Sequence, residues 1–201
     1  MDRTNVDGDR RSHPVLLALW AGLIVASGLG LSNWLWFGLV FVGSPLLAIA
    51  TFAALGDRRQ VEVLRPVWWI AYRLAVAGLA LAGIAGVVAT AGQLAGHDAD
   101  WSANAPFALL FLLAFLAAWP ALTKPSPRRA SLPAMVIHIA WIPLLIANAV
   151  TNGRRGGLGS GWESTLAIIS LTAILALSAI VAVLALVSFN GEPRLAPARA
   201  T

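Results

Sequence analysis

Residues 66–92, PVWWIAYRLAVAGLALAGIAGVVATAG, decide the fold because this stretch carries a single charge, Arg73, in 27 residues. A run of roughly 18 or more mostly apolar residues is long enough to cross a bilayer as a helix. Five further runs of this kind surround it. The six predicted spans are therefore 14–31, 34–55, 66–92, 105–122, 132–151 and 163–189.

The composition indicates the same class of protein. The 201 residues are 59% hydrophobic and 11% charged, with a mean hydropathy of +0.78, whereas a soluble domain has about 25% charged residues. The segments outside the spans are too short for a second domain. We predict an all-α fold, a polytopic integral membrane helix bundle. It has a tail at 1–13, a six-helix transmembrane domain at 14–189 and a second tail at 190–201.

The basic residues predict how this bundle is oriented. Eleven of the fourteen Lys and Arg residues lie in the two tails or in the loops after spans two and four. Arg154 and Arg155 lie on the opposite side. Because cytoplasmic segments carry the excess of Lys and Arg, we predict that both termini are cytoplasmic. Tryptophans mark several span ends, as interfacial residues do: Trp34, Trp36, Trp101 and Trp162 at outer ends, and Trp68, Trp69 and Trp119 at inner ends.

The basic residues also indicate where the protein is located and what it binds. Arg outnumbers Lys thirteen to one, which favours GC-rich coding and a bacterial plasma-membrane protein. Anionic lipid headgroups explain the net charge of +5, so a nucleic-acid partner is not expected. The predicted partners are the bilayer, other membrane subunits or a second copy, and an apolar small molecule or lipid.

No cofactor is expected. Cys is absent, and the three histidines lie at different predicted depths in the membrane, so no two of them could bind one haem. His97, Asp98 and Asp100, with Glu163 nearby, form a solvated acidic loop rather than a metal site.

Small residues at four-residue spacing predict where helices come close, since no hydrophobic effect drives helices together inside a bilayer. The stripes are Ala18, Gly22, Ala26 and Gly30 in span one, and Gly78, Ala82, Gly86 and Thr90 in span three. Shorter pairs are Ala114 with Ala118 in span four, and Ser178 with Ala182 in span six. We predict that the stripes of spans one and three pack against other helices. Chance spacing in Ala-rich helices is the alternative.

Spans two and five share a short, weak internal sequence similarity. Pro45-Leu46-Leu47 precedes Gly56-Asp57-Arg58-Arg59, and Pro143-Leu144-Leu145 precedes Gly153-Arg154-Arg155. An inverted repeat of three plus three helices would produce such a similarity. Transporters built this way bind their substrate near helices that are broken at mid-membrane. Coincidence among apolar helices that end in Gly and Arg is the alternative.

His138 in span five is the strongest candidate for a functional residue. It projects onto the same helix face as Trp141, Asn148 and Asn152. Polar groups on one face of a membrane helix should point into the bundle, because contact with lipid costs several kcal/mol. In addition, Pro143 cannot donate to the carbonyl of Ile139, which would leave an acceptor beside His138. The predicted ligand-binding residues are therefore His138, Trp141, Asn148 and Asn152. The alternative is that they only bond to neighbouring helices.

Two functions fit these residues. The first is a transport-type or complex-forming membrane subunit with a modest polar cavity around His138. The second is an intramembrane enzyme acting on a lipid or prenyl-type substrate, with His138 as acid or base. No acidic residue lies mid-span, which disfavours carboxylate-based proton pumps, cation antiporters and catalysis by paired acids. Arg73, within span three, is predicted to face lipid and to reach the cytoplasmic headgroups.

Six spans in about 200 residues, cytoplasmic termini and a small-residue stripe on span one resemble one known family. These features are similar to those of the substrate-binding subunits of energy-coupling-factor vitamin importers. The resemblance covers architecture alone, and no binding motif of that family matches this sequence residue by residue. It implies an all-α membrane fold and a role in import.

Overall fold

The computed structural model describes residues 14–25, 34–56, 66–96, 101–123, 127–152 and 161–190. These residues form six α-helices, one on each predicted span, so the all-α prediction is confirmed for the described part of the chain. The helices are α1 (14–25), α2 (Trp34–Gly56), α3 (Pro66–Ala95), α4 (Trp101–Thr123), α5 (Pro127–Asn152) and α6 (Trp162–Asn190).

Prolines mark both helix starts and helix interiors. α1, α3 and α5 begin at Pro14, Pro66 and Pro127, where a fixed φ and a missing N–H suit the first helical turn. Five further prolines lie inside helices: Pro45, Pro106, Pro120, Pro133 and Pro143. Helices that cross membranes tolerate such prolines, because neighbouring groups satisfy the freed carbonyls.

Three helices are long and apolar enough to cross a membrane, through the segments Val67–Ala95, Asn104–Thr123 and Trp162–Val187. The chain is therefore a candidate membrane protein with spans in α3, α4 and α6. The other three helices contain shorter apolar segments, Pro14–Val25, Val42–Leu55 and Ser131–Leu144. Six spans remain a prediction, because these three segments are shorter than a membrane span and part of the predicted first span, 26–31, lies outside the described residues. The predicted cytoplasmic position of residues 1–13 and 191–201 lies outside them as well.

The outer face of α3 shows how apolar the surface of the bundle is. Val67, Leu74, Leu81 and Val88 are spaced seven residues apart, and each is between 57% and 73% exposed. A soluble protein rarely exposes such a continuous row of large aliphatic side chains. Lipid chains would solvate this face at no cost. The same surface includes Arg73, which is exposed, as predicted, with its guanidinium carbon 4.2 Å from the centre of the Trp69 ring.

Helix α3 packs closely against two other helices. It makes its most extensive contacts with α6 and α4, while α5 contacts α2, α4 and α6. Glycines on α3 allow these close approaches. A Cβ added at Gly83 would lie 2.9 Å from the carbonyl oxygen of Phe111, and one at Gly86 would collide with the Phe111 ring. At Gly78 it would lie 3.2 Å from a methyl carbon of Leu177 on α6. The predicted small-residue contact of span three is confirmed.

The predicted stripe of span one is wrong for its described residues. Ala18 and Gly22 are exposed, and no heavy atom lies within 4 Å of a Cβ added at Gly22. Leu16 and Trp20 instead face the bundle, and the Trp20 side chain is fully buried. The reason is that a large indole with one polar N–H has more to gain from the bundle interior than a row of small residues. Ala26 and Gly30 lie outside the described residues.

The shorter pairs of small residues in spans four and six are buried too. Ala114 and Ala118 on α4, and Ser178 and Ala182 on α6, have no exposed surface. These small side chains permit close helix contact at the middle of the bundle.

Within the described ranges, the packing does not have the symmetry of an inverted repeat. Exchanging α2 with α5 and α3 with α6 would require the contact between α5 and α6 to be matched by one between α2 and α3. Within the described ranges α5 packs against α6, whereas α2 and α3 do not contact each other. The sequence similarity around Pro45 and Pro143 is therefore not matched by a symmetric packing of these helices.

Candidate functional site

His138 lies near the middle of α5 on a face that points into the bundle. Its side chain is 3% exposed, and Ile137 and Ala134 beside it are completely buried. Burial of this histidine agrees with the prediction that the polar face of span five looks inward. Trp141, one turn further along, is also buried.

Ser178 on α6 is the direct partner of His138. The Ser178 Oγ lies 2.9 Å from His138 Nε2, and the same hydroxyl donates to the carbonyl oxygen of Leu175, also at 2.9 Å. A serine hydroxyl carries one proton, and a carbonyl can only accept. For both contacts to be hydrogen bonds at once, Ser178 must donate to Leu175 and accept from His138, so we infer that His138 Nε2 carries the hydrogen. In the neutral ring Nδ1 then holds a lone pair.

The Nδ1 atom is buried and has no hydrogen-bond partner among the described residues. Rotating the ring by half a turn would not help, because it would move Nε2 away from Ser178. Two other buried side-chain atoms share this property, the Ser44 Oγ and the Gln93 Oε1. A serine hydroxyl can turn to bond its own helix backbone, and Gln93 is only partly buried near the end of α3. His138 is almost completely buried and its ring nitrogen cannot turn to another partner, which makes its Nδ1 the most significant of the three.

A second polar pair lies against the first. Trp20 on α1 donates its Nε1–H to the Thr51 Oγ1 at 2.7 Å, and Thr51 donates in turn to the carbonyl oxygen of Leu47 at 2.8 Å. The centres of the Trp20 and His138 rings are 5.2 Å apart, with their planes tilted by 58°. This is an ordinary geometry for adjacent aromatic rings. Four helices, α1, α2, α5 and α6, thus contribute one buried polar side chain each to one cluster.

We call this set, Trp20, Thr51, His138 and Ser178, the His138 cluster. All four side chains are at most 3% exposed. All of them except His138 were not predicted from the sequence as site residues. Trp20 could have been found, because it lies well inside span one while most tryptophans lie at span ends. Thr51 and Ser178 offered no signal, since single hydroxyls in apolar helices commonly bond their own backbone.

The other predicted site residues have different outcomes. Asn148 and Asn152 belong to α5, but their side chains lie outside the described residues. Ile139 is 38% exposed and Pro143 is exposed too, so both side chains face the outside of the bundle. The acceptor expected beside His138, the Ile139 carbonyl, stays a prediction.

A smaller polar contact joins the far end of α3 to the start of α6. The Gln93 Nε2 donates to the Ser164 Oγ at 3.2 Å. Glu163 is the one acidic residue in the described part of the chain, and it lies beside Gly92. No group of three His, Cys, Asp or Glu side chains suited to a metal ion occurs among the described residues. The acidic loop with His97, Asp98 and Asp100 lies outside them.

No protein-family model, curated protein sequence or solved structure matches this chain. The architectural resemblance to vitamin-importer subunits therefore has no support from known proteins. One of the features on which it rested, the stripe of span one, is exposed at its described residues Ala18 and Gly22.

Proposed function

We propose that the chain is a six-span subunit of the bacterial plasma membrane with both termini in the cytoplasm. Its role is to bind a largely apolar molecule that carries one polar group, as part of a transport system or a larger membrane complex. The polar group binds at the His138 cluster, and the aliphatic surroundings hold the rest of the molecule.

One observation carries this proposal: a buried histidine is fixed through Nε2 and leaves Nδ1 without a partner among the described residues. A buried acceptor that stays unpaired costs about 1–3 kcal/mol, so a purely structural cluster would be expected to satisfy it. Binding sites are places where such a cost is retained, because the ligand supplies the missing partner. The membrane setting selects for ligands that dissolve in lipid.

An intramembrane hydrolase is the second candidate, because a serine hydroxyl 2.9 Å from a histidine nitrogen has the spacing of a nucleophile and its base. Two details weigh against it. With both of its contacts made, the Ser178 hydroxyl donates to the Leu175 carbonyl rather than to His138, and no described group orients the imidazole through Nδ1. A third group in that position is what makes such a pair catalytic.

A fluorophosphonate probe separates these two candidates, since it labels activated serines covalently. We expect no labelling of the purified protein. If the protein is labelled, and Ser178→Ala abolishes the labelling, the hydrolase replaces the binding subunit as the better proposal.

Co-purification tests the binding role directly. The protein is purified from native membranes in mild detergent, and organic extracts of the wild type, His138→Ala and Arg73→Ala are compared. Arg73→Ala is the matched control, because Arg73 is exposed on α3, outside the His138 cluster. We expect one apolar compound in the wild type and in Arg73→Ala, reduced about tenfold or more in His138→Ala, since loss of its hydrogen bond should cost about 1.4 kcal/mol. Equal amounts in all three proteins would refute the proposal.

Reporter fusions test the proposed topology. Fusions after Gln60, Asp100, Ser126, Gly157 and Thr201 should report cytoplasm, outside, cytoplasm, outside and cytoplasm in turn. A fusion at Thr201 that is active only outside the cell would overturn the proposed orientation.

A further inference from the structure

We infer that the polar group recognised at the His138 cluster is the hydroxyl of an uncharged apolar alcohol, which donates its hydrogen bond to His138 Nδ1. This inference rests on the proposed function and narrows it from a polar group in general to one chemical class. It excludes ketones, esters and ethers of the same size, which can only accept hydrogen bonds.

The argument follows from where the protons are. The Ser178 hydroxyl donates to Leu175, so His138 Nε2 is the donor toward Ser178. The Thr51 hydroxyl donates to Leu47 and accepts from Trp20, so its single proton is committed too. Every mobile proton of the cluster is therefore in use within the protein, and the free position at Nδ1 is an acceptor. A ligand completes this arrangement only by bringing a donor.

The charges around the cluster restrict the donor further. Glu163 is the only carboxylate among the described residues, and it lies fifteen positions before Ser178 on α6, roughly 22 Å along the helix axis. An ammonium group at Nδ1 would thus be buried without a counter-charge from the described chain, which is strongly unfavourable. An ionised acid has no proton to donate and would meet the Nδ1 lone pair with its own. A neutral hydroxyl has a proton to donate and carries no charge.

The tautomer is tested first, without any ligand. The chain contains three histidines, so ¹⁵N-histidine labelling gives three pairs of ring signals, and the spectrum of His138→Gln assigns the pair of interest. We expect His138 to show a protonated Nε2 and an unprotonated Nδ1. The opposite tautomer would overturn the inference.

Ligand selectivity is then measured with hexadecanol and with its methyl ether, which has nearly the same shape but no O–H. Each is titrated in detergent, and binding is followed through the His138 Nδ1 signal and by thermal unfolding. We expect hexadecanol to bind about tenfold or more tightly than the ether, because an ether leaves Nδ1 buried and unpaired. Equal affinity for both compounds would refute the inference but leave the proposed function standing. Binding of neither compound, together with no co-purified compound, would refute both.

Ser178→Ala provides a variant with a different expected result. Without Ser178 the ring is no longer held in one tautomer, so the preference for the alcohol should fall severalfold while binding persists. Ser170→Ala is the matched control. Ser170 is also buried on α6, but it lies eight residues away, about 12 Å along the axis, and should leave the preference unchanged. An unchanged preference in Ser178→Ala would show that Ser178 does not set the tautomer, against the inference.

Discussion

Replacing Gly83 by Ala is the most direct test of the packing between α3 and α4. An added Cβ would lie 2.9 Å from the Phe111 carbonyl oxygen and 3.0 Å from the Phe115 backbone nitrogen. Both atoms belong to the backbone of α4, so no side-chain rotation can relieve the contact. The whole helix must move by a few tenths of an ångström, and overpacking of this kind costs about 1–3 kcal/mol. We therefore expect a lower midpoint of thermal unfolding in detergent.

Gly22→Ala is the matched control, since it makes the same chemical change in another apolar helix. No heavy atom lies within 4 Å of the added Cβ there. Alanine also favours the helix by about 0.5–1 kcal/mol relative to glycine, so this variant should melt at the same temperature as the wild type or slightly higher. Unfolding would be followed by circular dichroism at a fixed detergent concentration. If Gly83→Ala and Gly22→Ala melt alike, α3 and α4 do not approach each other as described.

Three further substitutions probe single contacts. Trp20→Phe keeps an aromatic ring but removes the hydrogen bond to Thr51, and should lower the free energy of unfolding by about 0.5–1.5 kcal/mol. Tyr72→Phe removes a longer bond, 3.3 Å, from its hydroxyl to a backbone carbonyl of α4, so the loss should lie at the lower end of that range in chemical denaturation. Arg73→Ala removes a cation–π contact with Trp69 on the exposed surface and should cost at most about 1 kcal/mol in the same assay.

The controls for these variants come from the exposed surface. Trp119 is 58% exposed, so Trp119→Phe should change stability much less than Trp20→Phe. A larger loss in Trp119→Phe would contradict the assignment of Trp20 as the buried anchor of α1. A loss of several kcal/mol in Arg73→Ala would mean that Arg73 has a buried partner.

The positions of the helices could be predicted because hydropathy alone determines them. The predicted 66–92 and 163–189 became Pro66–Ala95 and Trp162–Asn190. What could not be predicted is which side of each helix is buried. Apolar residues surround these helices on all sides, so periodicity does not distinguish the face toward lipid from the face toward protein. Span one shows the consequence, since its small residues suggested one face and its buried Trp20 lies on another.

The candidate site was predictable to the same limited degree. His138 was found because an ionisable group inside an apolar helix is rarely placed there without a role. Its partners come from helices separated by tens to more than a hundred residues in sequence, and no spacing rule links Trp20 or Ser178 to it.

The two polar pairs of the His138 cluster also bear on how the chain is made. Trp20 and Thr51 join the first helix to the second, and His138 and Ser178 join the fifth to the sixth. Each hydrogen bond therefore joins two consecutive helices, which are synthesised one after the other. Helix α2 has no contact with α3 among the described residues, and its partner α5 is synthesised about ninety residues later. During that interval Trp20 and Thr51 can satisfy each other's polar atoms before α5 is present. A nascent chain halted after α4 should thus hold two separate helix pairs, and arrival of α5 would bring them together.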